Sequence, residues 1–488
     1  MSVDVLLFTE ISAPNVNYGR SAGAYVIASA IRKAGHSCQV VDFFTKFSQS
    51  EIEHIIDSTI GANTLIVGFS STFFQNREPM SPSKFTPAYP LNDITMHGWF
   101  MRIKSINPKV KIVFGGAKAE FIQAEADVFV HGYSDQAIVE YLAFLQGKNP
   151  FFQYNNINDH QIEIYGADFT GKFEFTTSSL EWHQSDHLQF NETVPIEISR
   201  GCIFKCHFCS YPLNGKKKLD FVKDENTLRE EFIRNYNDYG ITRYIYADDT
   251  HNDSVEKLQM MHRIVTTLPF EIEYSTYLRI DLLYAHKETA KMMRESGLRA
   301  TFFGVESLNY ESAKAIGKGI HPDKIKETIH WLREDIWKDE VSMTAGFIVG
   351  LPHETPDTVA NWTQWILNDN CPLHRAQFTG LGIDRNAKTW QSEFSKNADK
   401  YGYTFDEHGW KNEYFTAATA SALARQLTLS ALPYSDAASN FRLMMLGNFG
   451  FTPRDTITVK TPLDIAPRRI AYMNAYKQRL LAALTINT

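Results

Sequence analysis

No stretch of the 488 residues is apolar for long enough to cross a bilayer as a helix, which needs about 20 consecutive positions, so a membrane-spanning helix is excluded. The amino-terminal run MSVDVLLFTE has no basic segment and enters directly into a strand-like pattern. No secretory signal is therefore expected, and a cytoplasmic location is. Cysteine is scarce, five in all, which argues against a disulfide framework and fits a reducing compartment. Basic residues are not in excess. A formal net charge of −7 disfavours a broad polyanion-binding face, and with it a nucleic-acid partner, while leaving room for a local basic pocket. Repeats and low-complexity segments are also absent. What remains is an ordinary globular composition in a chain long enough for two or three domains.

The scarce cysteines are concentrated. Three of them, Cys202, Cys206 and Cys209, fall within eight residues of the run ISRGCIFKCHFCSYP, spaced C-x3-C-x2-C. A cubane iron–sulfur cluster takes four thiolates, one per iron, so three from one loop leave one iron open to a small molecule. The rival reading is a structural zinc site with His207 as fourth ligand. Closed zinc sites need four ligands, commonly cysteine pairs from two places, and Cys38 and Cys371 are each isolated in the chain.

The hydrophobic pattern divides the chain. Residues 1–148 alternate strand-like runs (3–9, 38–44, 64–70, 110–116, 126–132) with helical segments such as 21–36 and 96–107, which predicts a doubly wound parallel sheet. Such sheets bind ligands beyond the carboxyl ends of their strands. Residues 149–193, rich in Asn, Asp, Thr and Ser, read as a connecting segment. Over 194–385, strands near 194–199, 244–249, 271–281, 300–307, 342–350 and 376–383 alternate with helices, as six βα units of a partial, TIM-like barrel. The cysteines follow the first of these strands, at the end where barrels place their chemistry. Residues 386–488 read as a mainly helical region of unknown role. The predicted fold class is thus α/β, with a Rossmann-like sheet, a partial (β/α)6 barrel and a helical carboxyl-terminal region.

The motif C-x3-C-x-aromatic-C, with Phe208 as the aromatic residue, resembles the signature of the radical S-adenosylmethionine enzymes. The resemblance implies a 4Fe-4S cluster on Cys202, Cys206 and Cys209. S-adenosylmethionine would chelate the free iron, and its reductive cleavage would yield a 5′-deoxyadenosyl radical that attacks a C–H bond of a small-molecule substrate. It also implies an electron donor such as flavodoxin or ferredoxin. In GVES (304–307), it implies that Glu306 and Ser307 face the ribose or the methionine moiety. In GFIVGLPHET (346–355), Ile348 would pack on the adenine, with Gly346 and Gly350 admitting the backbone. Asp248 and Asp249 either hold the methionine ammonium or cap the following helix. Arg279 either meets the methionine carboxylate or serves an internal ion pair. Phe204 and Phe208 either shield the cluster or simply pack, and Lys216, Lys217 and Lys218 read as a solvated face.

A Rossmann-like domain before such a barrel is similar to the cobalamin-binding class of the superfamily. That implies cobalamin as a further candidate cofactor, with Ser70, Gly115 and Gly116 placed for its nucleotide. The D-x-H-x-x-G run that supplies a cobalt ligand in many cobalamin proteins is missing, which leaves either cobalt without a protein ligand or a domain with another role. With cobalamin the natural outcome is methyl transfer. Without it, rearrangement, oxidation and cyclisation stay open, and a non-catalytic zinc-binding interaction protein is the reading from a different class. Trp331, Trp337, Trp362, Trp365 and Trp390 are candidates for an aromatic pocket, against packing at helical spacing, and the run 432–451 is a candidate cover for the barrel mouth.

Overall fold

A computed structural model describes residues 2–10, 19–70, 93–116, 126–170, 174–368, 370–385, 390–431, 441–458 and 465–486. Two sheets organise it. The first contains β1 (Val5–Phe8), β2 (Cys38–Val41), β3 (Ile66–Ser70), β4 (Lys111–Gly115), β5 (Val128–His131), β6 (Asn155–Asn156) and β7 (Ile162–Tyr165), in the order β2-β1-β3-β4-β5-β7-β6. Every pairing is parallel except β6 with β7. Runs such as VLLF, CQVV and VFVH are buried throughout, as strands covered by helices on both faces must be.

The sheet runs beyond residue 148, where the sequence pattern predicted its end. The strand IEIY is short, lies among polar residues and buries only one of its four side chains fully, so no period announces it. The connecting segment that follows contributes more than reach. Its Leu180 and Trp182 are buried, and Asp186 makes a two-pronged ion pair with Arg32, at 2.7 and 2.9 Å.

The second sheet is a sequential parallel array of β8 (Val194–Ile196), β9 (Arg243–Tyr246), β10 (Glu273–Leu278), β11 (Leu298–Glu306), β12 (Ser342–Val349) and β13 (Arg375–Gly380). Helices between the strands make it the six-unit partial barrel read from the sequence. Local chemistry sets their ends. Asp224 caps the helix Glu225–Tyr239, which stops at Gly240 in the left-handed region, where glycine carries no Cβ penalty. Thr355 caps Pro356–Ile366 with Pro in its first turn.

The carboxyl-terminal region serves both sheets. A short hairpin, β14 (Thr404–Asp406) and β15 (Gly409–Lys411), precedes the helix Ala417–Ser430. Thr428 of that helix bonds to both the N–H and the carbonyl of Phe378, which covers the open edge of β13. Met444 and Met445 then pack with Ile245 in the barrel, and the helix Ile465–Ile486 returns to the first sheet, where the Tyr476 hydroxyl accepts from the Asp42 N–H at 2.8 Å. No helix among the described residues is long and apolar enough to cross a membrane.

Candidate active site

The cysteine loop leaves β8 and is closed by its own backbone. Gly201 sits at φ +76°, and a Cβ there would lie 2.5 Å from Leu213, so only glycine fits. Gly215 N–H donates to the Cys202 carbonyl at 2.7 Å, and Cys209 N–H to that of Cys206 at 3.0 Å. Each thiol has a polar side chain beside it. The Cys202 thiol donates to the Thr250 hydroxyl at 3.4 Å, Arg279 donates to Cys206 Sγ at 3.2 Å, and Asn214 donates to Cys209 Sγ at 3.1 Å. Burial raises the Cys202 thiol and pushes that of Cys209 up to about 11, so thiolates here need a cationic partner such as iron.

His207 does not join the thiols. Its Nδ1 lies 2.7 Å from the Ala315 carbonyl and 3.2 Å from the Tyr401 hydroxyl, and its ring packs on Tyr401 and Phe394. Among the described residues, no three His, Cys, Asp or Glu side chains gather as a single metal ion requires. Three thiols on one loop, each with a polar side chain beside it, are the soft donors that an iron–sulfur cluster would take.

Asp248 is not available to a ligand. It is fully buried and accepts from the N–H groups of Ile198 and Ser199 at 2.9 and 3.0 Å and from the Ser199 hydroxyl at 3.1 Å. Burial opposes its charge, but Lys257, His251 and the Ser199 N–H prevail and hold the carboxyl well below the usual range. Its work is to tie the exit of β8 to that of β9. Its neighbour Asp249 differs: one buried oxygen, Oδ2, has no partner, and burial together with the Asp248 charge pushes the carboxyl up to about 7. An orphaned acceptor beside the cysteine loop is what an ammonium-bearing ligand would satisfy.

On β11, Glu306 stands at φ +70° after a register shift and pairs with Lys318 at 3.1 Å. It is half-buried, as are Phe302 and Gly304 on the same face of β11, and the Phe302 ring packs towards Met444 and Met445. Ser307 is fully buried and gives its hydroxyl to Glu354 at 2.7 Å. Arg279 follows β10, forks onto Asp281 at 3.0 and 2.6 Å and stacks 3.7 Å above Phe204, so the internal ion pair is present together with the Cys206 contact. Gly346 makes room for the Phe302 ring, 2.5 Å from where its Cβ would be, and Gly350, at φ +95°, makes room for Trp410. Ile348 is buried in the core with Phe208 packed at its margin.

Glu354 braces the β12 exit through the N–H groups of Gly350 and Leu351, at 3.1 and 3.2 Å. Burial pushes its carboxyl up to about 7, against the pull of Ser307 and those donors, from the ordinary 4.5. The folded state therefore keeps this proton to a higher pH than the unfolded chain does. The group's contribution to stability is full below pH 4.5 and is lost as pH rises towards 7. E354Q is expected to flatten that slope, which thermal unfolding at about pH 5 and about pH 7.5 would measure.

A second concavity, of about 180 Å³, lies beyond the carboxyl ends of β1, β3, β4 and β5. Gly23, Ser70, Gly115, Gly116 and Tyr133 line it over an apolar floor, and Glu197 and Arg200 of the barrel form part of its wall. No histidine is among its described lining residues. His131, at the end of β5, is buried against Tyr165 and lies 3.6 Å from Glu163. Tyr133, Asp135 and Arg200 carried no signal in the sequence, because they meet only when the two sheets pack.

Of the five tryptophans only Trp331 and Trp365 share a concavity, an open one lined also by Lys326, Glu327 and His330, and the others pack elsewhere. Trp337 stacks on Phe303, Trp362 packs on Phe347 and Phe378, Trp331 and Trp365 lie beneath Lys287 and Lys326, and Trp390 meets Phe169. Lys217 is exposed, Lys218 pairs with Glu256, and Lys216 reaches the Asp220 carbonyl. Residues 432–440 of the candidate mouth cover lie outside the described residues.

Residues 196–366 match the model of the Radical SAM superfamily. The barrel is a radical S-adenosylmethionine domain. Among curated proteins, the chain is 26% identical over 255 residues to an uncharacterised methyltransferase of Pyrococcus horikoshii, covering 51% of this chain and 53% of that protein. It is 24% identical over 281 residues to the anaerobic magnesium-protoporphyrin IX monomethyl ester cyclase of Cereibacter sphaeroides, covering 52% and 44%. The chain spans about half the length of the curated relatives it matches. Among solved structures, the radical S-adenosylmethionine methyltransferase TsrM of Kitasatospora setae, with cobalamin and a 4Fe-4S cluster bound, superposes at a TM-score of 0.66 over 100% of both chains at 12% identity. The cobalamin-dependent radical enzyme OxsB, with aqua-cobalamin and S-adenosylmethionine bound, does so at 0.60 over 99% of this chain and 72% of its own, at 13% identity. The two-sheet architecture is thus shared with TsrM and OxsB.

Proposed function

We propose that the protein is a cobalamin-dependent radical S-adenosylmethionine enzyme that functionalises a C–H bond of a small molecule, with methyl transfer as the outcome. The observation that carries this reading is the shared cleft: the cavity of the first sheet has Glu197 and Arg200 in its wall, and Cys202 follows two residues later. Cys202, Cys206 and Cys209 would hold a 4Fe-4S cluster, which supplies the electron for cleaving S-adenosylmethionine. Asp249 would accept from the methionine ammonium through its unpartnered oxygen, and Glu306 would offer acceptors to the ribose hydroxyls. Arg279 orients Cys206 while its stack on Phe204 keeps water from that side. The electron donor would be a small carrier such as flavodoxin or ferredoxin. Gly115 and Gly116 would let a corrinoid nucleotide approach the backbone, and without a histidine in the lining the cobalt would take no protein imidazole from it.

The ester cyclase relative favours a second reading, oxidation or cyclisation on the same barrel. Anaerobic reconstitution with iron and sulfide, followed by reduction and assay for 5′-deoxyadenosine and methylated product, separates the two. No cleavage of S-adenosylmethionine by the reduced, iron-loaded protein would overturn both. The cofactor half is tested by Gly23→Leu. A Cβ at Gly23 meets nothing within 4 Å, and the residue lies on the helix Ala22–Lys33 beside the cavity. The new side chain enters open space and gains about 1 kcal/mol of helix propensity. G23L is expected to keep the fold and lose hydroxocobalamin on gel filtration, while full retention would count against the site.

A further inference from the structure

Arg200 is the residue through which the cavity and the cysteine loop touch. Its side chain is 3% exposed and is held from both halves of the molecule. From the barrel, Glu197 receives both prongs of the guanidinium at 3.0 Å. From the first-sheet domain, Asp135 accepts at 3.1 Å, and the Tyr133 ring lies 4.5 Å beneath the guanidinium carbon. From the connecting segment, Phe175 stacks on it at 4.6 Å. Tyr133 and Asp135 belong to the turn after β5 that opens the helix Asp135–Leu145, and both line the cavity.

A planar fork clamped between two rings and two carboxylates has few alternative placements, unlike a lysine ammonium on a flexible stem. A ligand that shifts the turn at Tyr133 and Asp135 therefore shifts Arg200, and with it the backbone two residues before Cys202. The placement of this bridge favoured by one ligand is the placement offered to the other, which makes the two bindings cooperative.

Resting on the proposed reading of the two cofactors, we infer that Arg200 is a positioning residue that couples occupancy of the first-sheet cavity to S-adenosylmethionine binding at the cysteine loop. The coupling is reciprocal, because each ligand must change the affinity of the other by the same factor.

The test uses the full chain, reconstituted anaerobically with iron and sulfide, and the S-adenosylmethionine dissociation constant with and without hydroxocobalamin. In the wild type, hydroxocobalamin is expected to tighten that constant about fivefold or more, as coupled sites typically do, and S-adenosylmethionine to tighten hydroxocobalamin equally. In R200K and in D135N both ratios are expected to fall to about one, whatever either substitution does to the affinity for each ligand alone. A merely structural role lowers the melting temperature and leaves the ratio untouched, so wild-type ratios in both variants overturn the inference. D135N carries the test if R200K does not fold. If the wild type retains no hydroxocobalamin, the cofactor reading falls separately. The latch is then read in corrinoid-free protein, where D135N is expected to weaken S-adenosylmethionine and shift the electron paramagnetic resonance spectrum of the cluster. Unchanged values there overturn it.

Discussion

Replacing Cys206 by alanine is expected to abolish the iron chromophore, bound sulfide and all cleavage of S-adenosylmethionine. The thiol is one of three in the loop, and no further Cys, His or acidic side chain stands ready among the described residues to replace it. Losing one of three thiolates leaves two irons of a cubane without protein ligands, a far larger defect than the small change in packing. The fold should survive. Cys206 is only partly buried, its neighbour Arg279 keeps the Asp281 fork and the Phe204 stack, and such substitutions typically cost about 1 kcal/mol. C38A and C371A are the controls. Cys38 lies buried in the first sheet and Cys371 in the loop before β13, so both variants are expected to stay brown and active. Iron, sulfide and zinc counted together on the wild type and C206A give the readout. Retained turnover in C206A, or stoichiometric zinc in the wild type, would remove the radical chemistry.

That expectation was legible in the sequence because the three thiols are local: eight residues contain the whole donor set. The strands were legible for a similar reason. Parallel strands buried on both faces leave continuous apolar runs, as at β1 to β5, and the strand-like runs of the barrel likewise coincide with β8 to β13. Roles that depend on side-chain direction were not legible. Asp248 and Asp249 are neighbours in the chain, yet one is an internal clamp and the other has an open acceptor, because successive residues at a strand end point to opposite sides. Ser307 follows Glu306 and is turned away in the same manner, onto Glu354. The polar segment 149–193 concealed most, since a buried carboxylate such as Asp186 or Glu192 looks, in sequence, like any loop acid.

Glu192→Gln is expected to produce the largest loss of stability of any substitution considered. Glu192 and Arg20 have fully buried side chains, paired through Nε at 2.6 Å and Nη2 at 3.1 Å. The same carboxylate accepts from the Tyr472 hydroxyl at 2.5 Å and from the Gln189 N–H at 2.8 Å. Arg20 comes from the first-sheet domain, Glu192 from the end of the connecting segment, and Tyr472 from the last helix, so one carboxylate joins three parts of the chain. The glutamine amide keeps the shape but removes the charge and turns an NH2 towards donors, leaving the guanidinium buried without its counter-ion. Removing one partner of a buried pair costs about 3–5 kcal/mol, a large share of a typical total of about 5–15 kcal/mol. The urea midpoint should fall accordingly and should do so equally at low and high salt, because a pair out of contact with solvent is screened little. The double variant R20M/E192L, which removes both charges, is expected to recover much of the loss, since apolar replacements of a buried pair are often near neutral. A wild-type midpoint for E192Q would mean that packing alone joins the three parts. Because β8 begins two residues after Glu192, an observed loss would also loosen the strand from which the cysteine loop departs.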